Sequence, residues 1–170
     1  MVKPIVNMYE AEPRAWKKGS KFEARLTRLG GLIGAEQLGA QLIVLPPGKA
    51  AYPRHAHHNN EELFVVLEGS GEYQAGSDTF AVKAGDVISA VAGDGSTAHQ
   101  MRNNSSAELK YLAVSTRHDP DVVEYPDSGK FAVASRVPRG SGLLGAALAY
   151  VGRKNSGVDY WDGEDIGENE

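Results

Sequence analysis

The sequence predicts an all-β protein, built as a sandwich or barrel of antiparallel strands. Three observations carry this expectation. Between residues 22 and 115, short runs rich in Val, Ile, Leu and aromatic residues recur at close spacing. Gly, Pro, Asn or Asp bound these runs, and turns favour them because they tolerate φ > 0 or fix φ. No apolar set in the region repeats at the three-and-four spacing of an amphipathic helix.

Residues 1–20 hold prolines, charges and Trp16, and are expected to form an irregular arm in which Trp16 packs on the protein's own barrel. The β pattern runs from Phe22 to Leu29 and resumes from Glu36 to Leu45, past glycines at 30, 31 and 34. Pro46-Pro47-Gly48 stops it, because proline lacks the amide that a ladder needs. A segment carrying His55 and His57 leads through Asn59-Asn60, read as a turn, into a strand from Glu62 to Leu67. Glu68 to Glu72 is expected to reverse tightly into a strand ending at Ala75, and Gly76-Ser77-Asp78 makes a hairpin before Thr79 to Val82. Lys83 to Asp86 turns into Val87 to Val91; Ala98 to Arg102 and Glu108 to Ser115 close the series.

The last third differs. Arg117 to Lys130 has two prolines, four acidic residues and little periodicity, and is expected to be an ordered loop. Phe131 to Val137 and Leu148 to Val151 can add strands. The expected organisation is an N-terminal arm (1–20), a barrel (21–116) and an extension (117–170) that packs on the barrel or on a dimer partner. The length, 170 residues, suits a single core, and there is no internal repeat.

Composition narrows the function classes. Hydrophobic content of 41% and charged content of 24% are those of an ordinary soluble globular protein. A net charge of −4 offers no basic footprint for nucleic acid. There is no cysteine, which excludes disulfides, zinc-finger sites and thiol nucleophiles. The polar first eighteen residues lack the apolar core of a signal peptide. The longest apolar run, Gly142 to Gly152, is too short to cross a bilayer. The expectation is a cytoplasmic protein with neither nucleic-acid nor membrane partners.

The chemistry concentrates in Pro53 to Gly69. A strand alternates its faces, so His55 and His57 project to one side. Two imidazoles on one strand and the Glu62 carboxylate entering the next form a nitrogen-and-oxygen site for a divalent transition metal, with His99 as the candidate for a further ligand. Mn, Fe, Co, Ni and Zn all suit such ligands. His58 and Glu61 have the opposite parity and are expected outside the site. If Glu62 points inward, so do Phe64 and Val66; if His99 does, so do Thr97 and Met101, while Arg54 and Arg102 point away. The candidate pocket then comprises Gln41, Tyr52, Phe64, Val66 and Met101, with no cation to hold a phosphate.

The spacing His55-x-His57-x(4)-Glu62-x(6)-Gly69 resembles the first motif of the cupin superfamily, with Gly48 as its opening glycine one residue further upstream than the family pattern. Gly85, Gly93, His99 and Asn103 resemble the second motif, although Val91 stands where the family has proline and the segment before His99 is three residues longer. The resemblance covers residues 48–103. It implies one cupin (double-stranded β-helix, or jelly-roll) barrel with a metal held inside by His55, His57, Glu62 and His99. Tyr111 to Gly129 also resembles a group of uncharacterised cupins, some of them labelled sugar-phosphate isomerases.

Other signals carry less. Gly140-Ser141-Gly142-Leu143-Leu144-Gly145 fits G-x-G-x-x-G, but no helix of useful length follows it, so it reads as a glycine-rich loop. No G-x-S-x-G elbow is present, and the Asn104 sequon has no consequence without a secretory route. Tyr160 and Trp161 in the acidic tail, Asp159 to Glu170, should pack on the barrel or on a second subunit. The function expected is binding of a small carboxylate-like or sugar-like ligand at the metal, with isomerase, dioxygenase or decarboxylase chemistry open to it. The alternative is a non-catalytic binding or sensing module. Tyr52, Gln41 and Tyr111 are pocket residues with no special spacing, and a homodimer is expected.

Overall fold

A computed structural model describes residues 2–138 and 140–167. The expected tail therefore lies in part, at 168–170, outside the described residues. Six strands form the largest sheet: β1 (Arg14–Lys18), β2 (Phe22–Arg28), β3 (Leu38–Leu45), β5 (Glu62–Glu68), β8 (Val87–Ala90) and β10 (Leu109–Thr116). Their spatial order is β1-β2-β3-β10-β5-β8. A second sheet has β6 (Ser70–Ala75) between β7 (Asp78–Lys83) and β9 (His99–Arg102). A third runs β13-β12-β11-β4, from β4 (Ala56–His57), β11 (Asp121–Tyr125), β12 (Lys130–Ser135) and β13 (Leu148–Arg153). Every paired strand is antiparallel to its neighbours.

The core lies between the six-stranded and three-stranded sheets. Alternation on β10 buries Leu109, Tyr111 and Ala113 against Ile43 and Leu45 of β3 and Phe64 and Val66 of β5. Tyr73 of β6 and Met101 of β9 close the opposite side. Each fully buried Ile or Leu side chain contributes ~1.5–3 kcal/mol to this layer. Trp16 packs on its own barrel as expected: its indole N–H donates to the Ala51 carbonyl at 3.0 Å and its ring stacks on Tyr52. No helix among the described residues is long and apolar enough to cross a membrane.

Four local expectations need correction. The arm contains an edge strand, because Arg14–Lys18 pairs residue by residue with β2. A single helical turn, Leu29–Leu32, fills the glycine-rich gap between β2 and β3. The chain does not reverse at Gly69: β5 and β6 belong to different sheets, and Gly69 turns the corner with φ +80. A Cβ there would collide with the Glu108 carbonyl, so only glycine fits. Most consequentially, the expected loop at 117–130 contains β11, which pairs with β12 on one side and β4 on the other.

Asn60 explains how β11 reaches that position. The sequence predicts a turn residue at this position, yet Asn60 is buried and acts as a clip. Its side-chain oxygen accepts from the His118 amide at 2.6 Å and the Thr116 hydroxyl at 3.0 Å, while Asn59 donates to the Pro120 carbonyl at 2.7 Å. The segment leaving β10 is thereby pulled alongside β4. Asn103, the last residue of the second motif, plays a similar part. It is buried and donates to the carbonyls of Leu45 and Ala107 at 2.9 and 2.7 Å.

Candidate metal centre

His55 and His99 face each other across an antiparallel bridge, each amide donating to the other's carbonyl, at 3.1 and 2.8 Å. Their rings therefore stand side by side, with centroids 4.8 Å apart. Glu62, the first residue of β5, reaches the same point: its Oε2 accepts from His99 Nε2 at 2.8 Å and lies 3.9 Å from His55 Nε2. His55, Glu62 and His99 place ligand atoms within 4.8 Å of one another, a cluster that can hold a metal ion. His57, two residues after His55 and on the same face, directs its Nε2 toward Glu62 Oε2, again at 3.9 Å. All four candidate ligands converge, with His57 at the margin of the tighter three-residue cluster.

The far nitrogens show how the rings are held. His55 Nδ1–H donates to the Pro53 carbonyl at 2.8 Å, and His57 Nδ1–H donates to Asp121 Oδ2 at 2.6 Å. In the neutral rings both bonds leave Nε2 without a proton and facing Glu62, the tautomer a ligand needs. A carboxylate behind an imidazole is also the usual outer partner of a metal-bound histidine. The donor set thus fits a divalent transition ion by chemistry and by orientation. Asp121 was not legible in the sequence as a site residue. Its loop-like, proline-flanked context concealed the strand, and only the pairing of Val123 with His57 across β11 and β4 brings it within reach.

Burial pushes the His55 imidazolium down to about 4, so the ring is neutral near pH 7. Burial alone would raise Glu62, but the His99 hydrogen bond and the fields of His57, His55 and His99 hold it at about 2, a permanent carboxylate. Burial disfavours charge on His57 as well; the Asp121 hydrogen bond and the charges of Glu62 and Asp121 outweigh it and shift this ring upward. Local anions that favour a proton on His57 also favour a metal cation beside it.

A cavity of about 30 Å³ adjoins the cluster, lined on one side by His55, Glu62 and His99. Gln41, Tyr52, Phe64 and Met101 line it as expected, together with Gln100 and Tyr111. Val66 does not: one side-chain step further along β5 on the same face, it is submerged in the core. Thr97 is likewise absent, because the chain forms a 3-10 turn at Gly95–Thr97 and only becomes a strand at His99. Among the described residues, no Lys or Arg lines the cavity. Arg54 is bound to Asp127 and the Gly76 carbonyl, and Arg102 pairs with Glu72. His58 faces Glu124 at 3.3 Å and Glu61 is exposed, both outside the cluster as parity requires. Burial raises the phenols of Tyr52 and Tyr111, so both remain protonated donors.

Comparison with known proteins agrees with this geometry. The cupin-domain profile matches residues 41–115, which contain all four convergent side chains. An uncharacterised protein of Methanocaldococcus jannaschii is 30% identical over 118 residues, 61% of this chain and 90% of that protein. An oxalate-binding protein of Thermotoga maritima is 31% identical over 70 residues, 41% of this chain. That match spans 54% of the relative's own length. A solved structure from Silicibacter pomeroyi, described as a sugar phosphate isomerase from a cupin superfamily, superposes with a TM-score of 0.73. It is 22% identical and covers 90% of this chain and 94% of that one, a likeness of fold.

Proposed function

The chain belongs to the cupin superfamily, and from that premise we propose that it binds one divalent transition metal and, on it, a small carboxylate ligand. His55, His57, Glu62 and His99 are the proposed ligands. The observation that supports this most is their convergence on one point, with the far nitrogens of His55 and His57 already engaged. When bound, the ion supplies Lewis acidity toward a carboxylate or carbonyl oxygen. The chain's own residues do the rest. Pro53 and Asp121 orient two imidazoles, and Tyr52 and Tyr111 keep hydroxyl donors beside the cavity. Phe64 and Met101 exclude water.

Two features select the ligand class. The space beside the cluster is small, about 30 Å³, which supports a small ligand. Among the described residues the lining has no cation for a phosphate, which counts against a sugar phosphate despite the fold neighbour. Among the described residues it also has no carboxylate, lysine or free histidine beyond the ligand set to act as a general base. Binding or sensing, or chemistry that needs only polarisation, is therefore favoured over proton-shuttling isomerisation. Lack of cysteine suits the proposed cytoplasmic residence.

Elemental analysis of protein purified without chelator, followed by calorimetric titration with oxalate and with a sugar phosphate, tests the proposal. One divalent ion per chain and oxalate binding that disappears on metal removal are expected. Oxalate binding to metal-free protein, or tight metal-independent binding of the sugar phosphate, overturns it.

A further inference from the structure

β13 is an edge strand whose residues are almost all exposed, although four of its six are Leu, Ala, Tyr and Val. Beside it, Phe131, Tyr150, Arg153, Lys154 and Val158 line an open groove of about 590 Å³. An exposed apolar edge of this kind invites a partner chain. Two cations line the groove: Lys154 pairs with Glu124 at 3.1 Å, while Arg153 donates to the Ser128 carbonyl and has no carboxylate partner among the described residues.

The complementary shape lies on the same chain. Past Gly157 the tail folds into a tight turn, with the Trp161 amide donating to Asp159 Oδ1 at 2.9 Å and the Asp162 amide to the Asp159 carbonyl at 3.1 Å. The turn presents Tyr160 and Trp161, 83% and 58% exposed, packed edge-to-face on each other. Asp159, Asp162, Glu164 and Asp165 surround them, and none has an ion-pair partner among the described residues. Val158, two residues before Tyr160, lines the groove, so an acidic aromatic knob follows directly on an aromatic-lined groove that holds Arg153. It does not fill that groove itself, since both rings point into solvent. Knob and groove in one patch are what a closed two-fold contact requires, because each copy then gives and receives the same element.

We propose that the β13 groove receives the Tyr160–Trp161 turn of a second copy of this chain, reciprocally, in a two-fold dimer. The aromatic pair packs on the Phe131–Tyr150 ring pair, whose centroids are 6.0 Å apart, and the tail carboxylates face Arg153. This interface does not depend on the metal reading, because no proposed ligand belongs to it.

Light scattering and sedimentation of the full chain test it, with metal content measured on the same samples. The intact protein should be dimeric at micromolar concentration. Tyr160→Ala with Trp161→Ala should raise the dimer dissociation constant at least about 30-fold, the effect expected of one interface hot spot. Tyr150→Ala with Arg153→Glu should do the same, with circular dichroism unchanged in both variants. Mixing the tail variant with the groove variant should restore dimers, since one intact tail then meets one intact groove. A monomeric intact protein, dimers indifferent to both variants, or failure of the mixture to dimerise each overturns the proposal.

Discussion

The two edges of the four-stranded sheet have opposite fates. At one end, β4 is only two residues long, yet Ala56 is buried and His57 is held between Asp121 and Glu62. At the other, β13 is three times as long and lies bare. Between them Val123, Ala132 and Ala134 are buried, so the same sheet runs from a closed interior to an open surface. Edge strands carry unpaired backbone and must be covered. The barrel covers β4 and turns its edge into a wall of the metal centre. Nothing in the described chain covers the free edge of β13, the edge proposed to receive the second copy.

The comparison breaks first at the shared middle. Val123→Asp should cost on the order of 4 kcal/mol or more, because a carboxylate would be buried without a partner. Urea denaturation measures this, and metal affinity should fall with it. Retained metal binding would show that His57 does not need the sheet to stay in place. Next, Glu62→Gln should abolish metal uptake in elemental analysis while circular dichroism reports an intact fold, since the apolar layer carries the barrel. A smaller effect is expected behind the ligand: Asp121→Asn should weaken metal binding ~10–100-fold, the usual cost of losing an outer partner of a bound histidine. Competition with a chelator reads it, and Asp121→Glu should recover part of the loss. Last, truncation after Gly157 should change neither metal content nor chain stability by more than ~0.5 kcal/mol at protein concentrations where the intact chain is monomeric. A large loss there would tie the bare edge to the closed one.

Much of the closed edge was legible before any coordinates. Period-two alternation placed Phe64 and Met101 in the cavity, and His58 and Glu61 outside it, because a strand leaves each side chain only two directions. The same rule misplaced Val66, which has the right face but sits too deep, and Thr97, which is not on a strand at all. Asp121 escaped altogether. A carboxylate behind a histidine has no fixed sequence spacing, and here 64 positions separate the two.

Composition, alternation and turn residues by themselves determined an all-β chain and a candidate cluster of histidines and a carboxylate on segments that follow one another in sequence. These are local properties, set by φ preferences and by the two-residue repeat of a strand. Which distant segments meet was decided only by tertiary structure: β11 beside β4, Asn60 clasping His118, Gly69 turning a corner between sheets, and the tail left beside an uncovered groove. Those placements depend on which strand edges find partners when the whole chain packs. That is a sum over long-range contacts, and no window of sequence contains it.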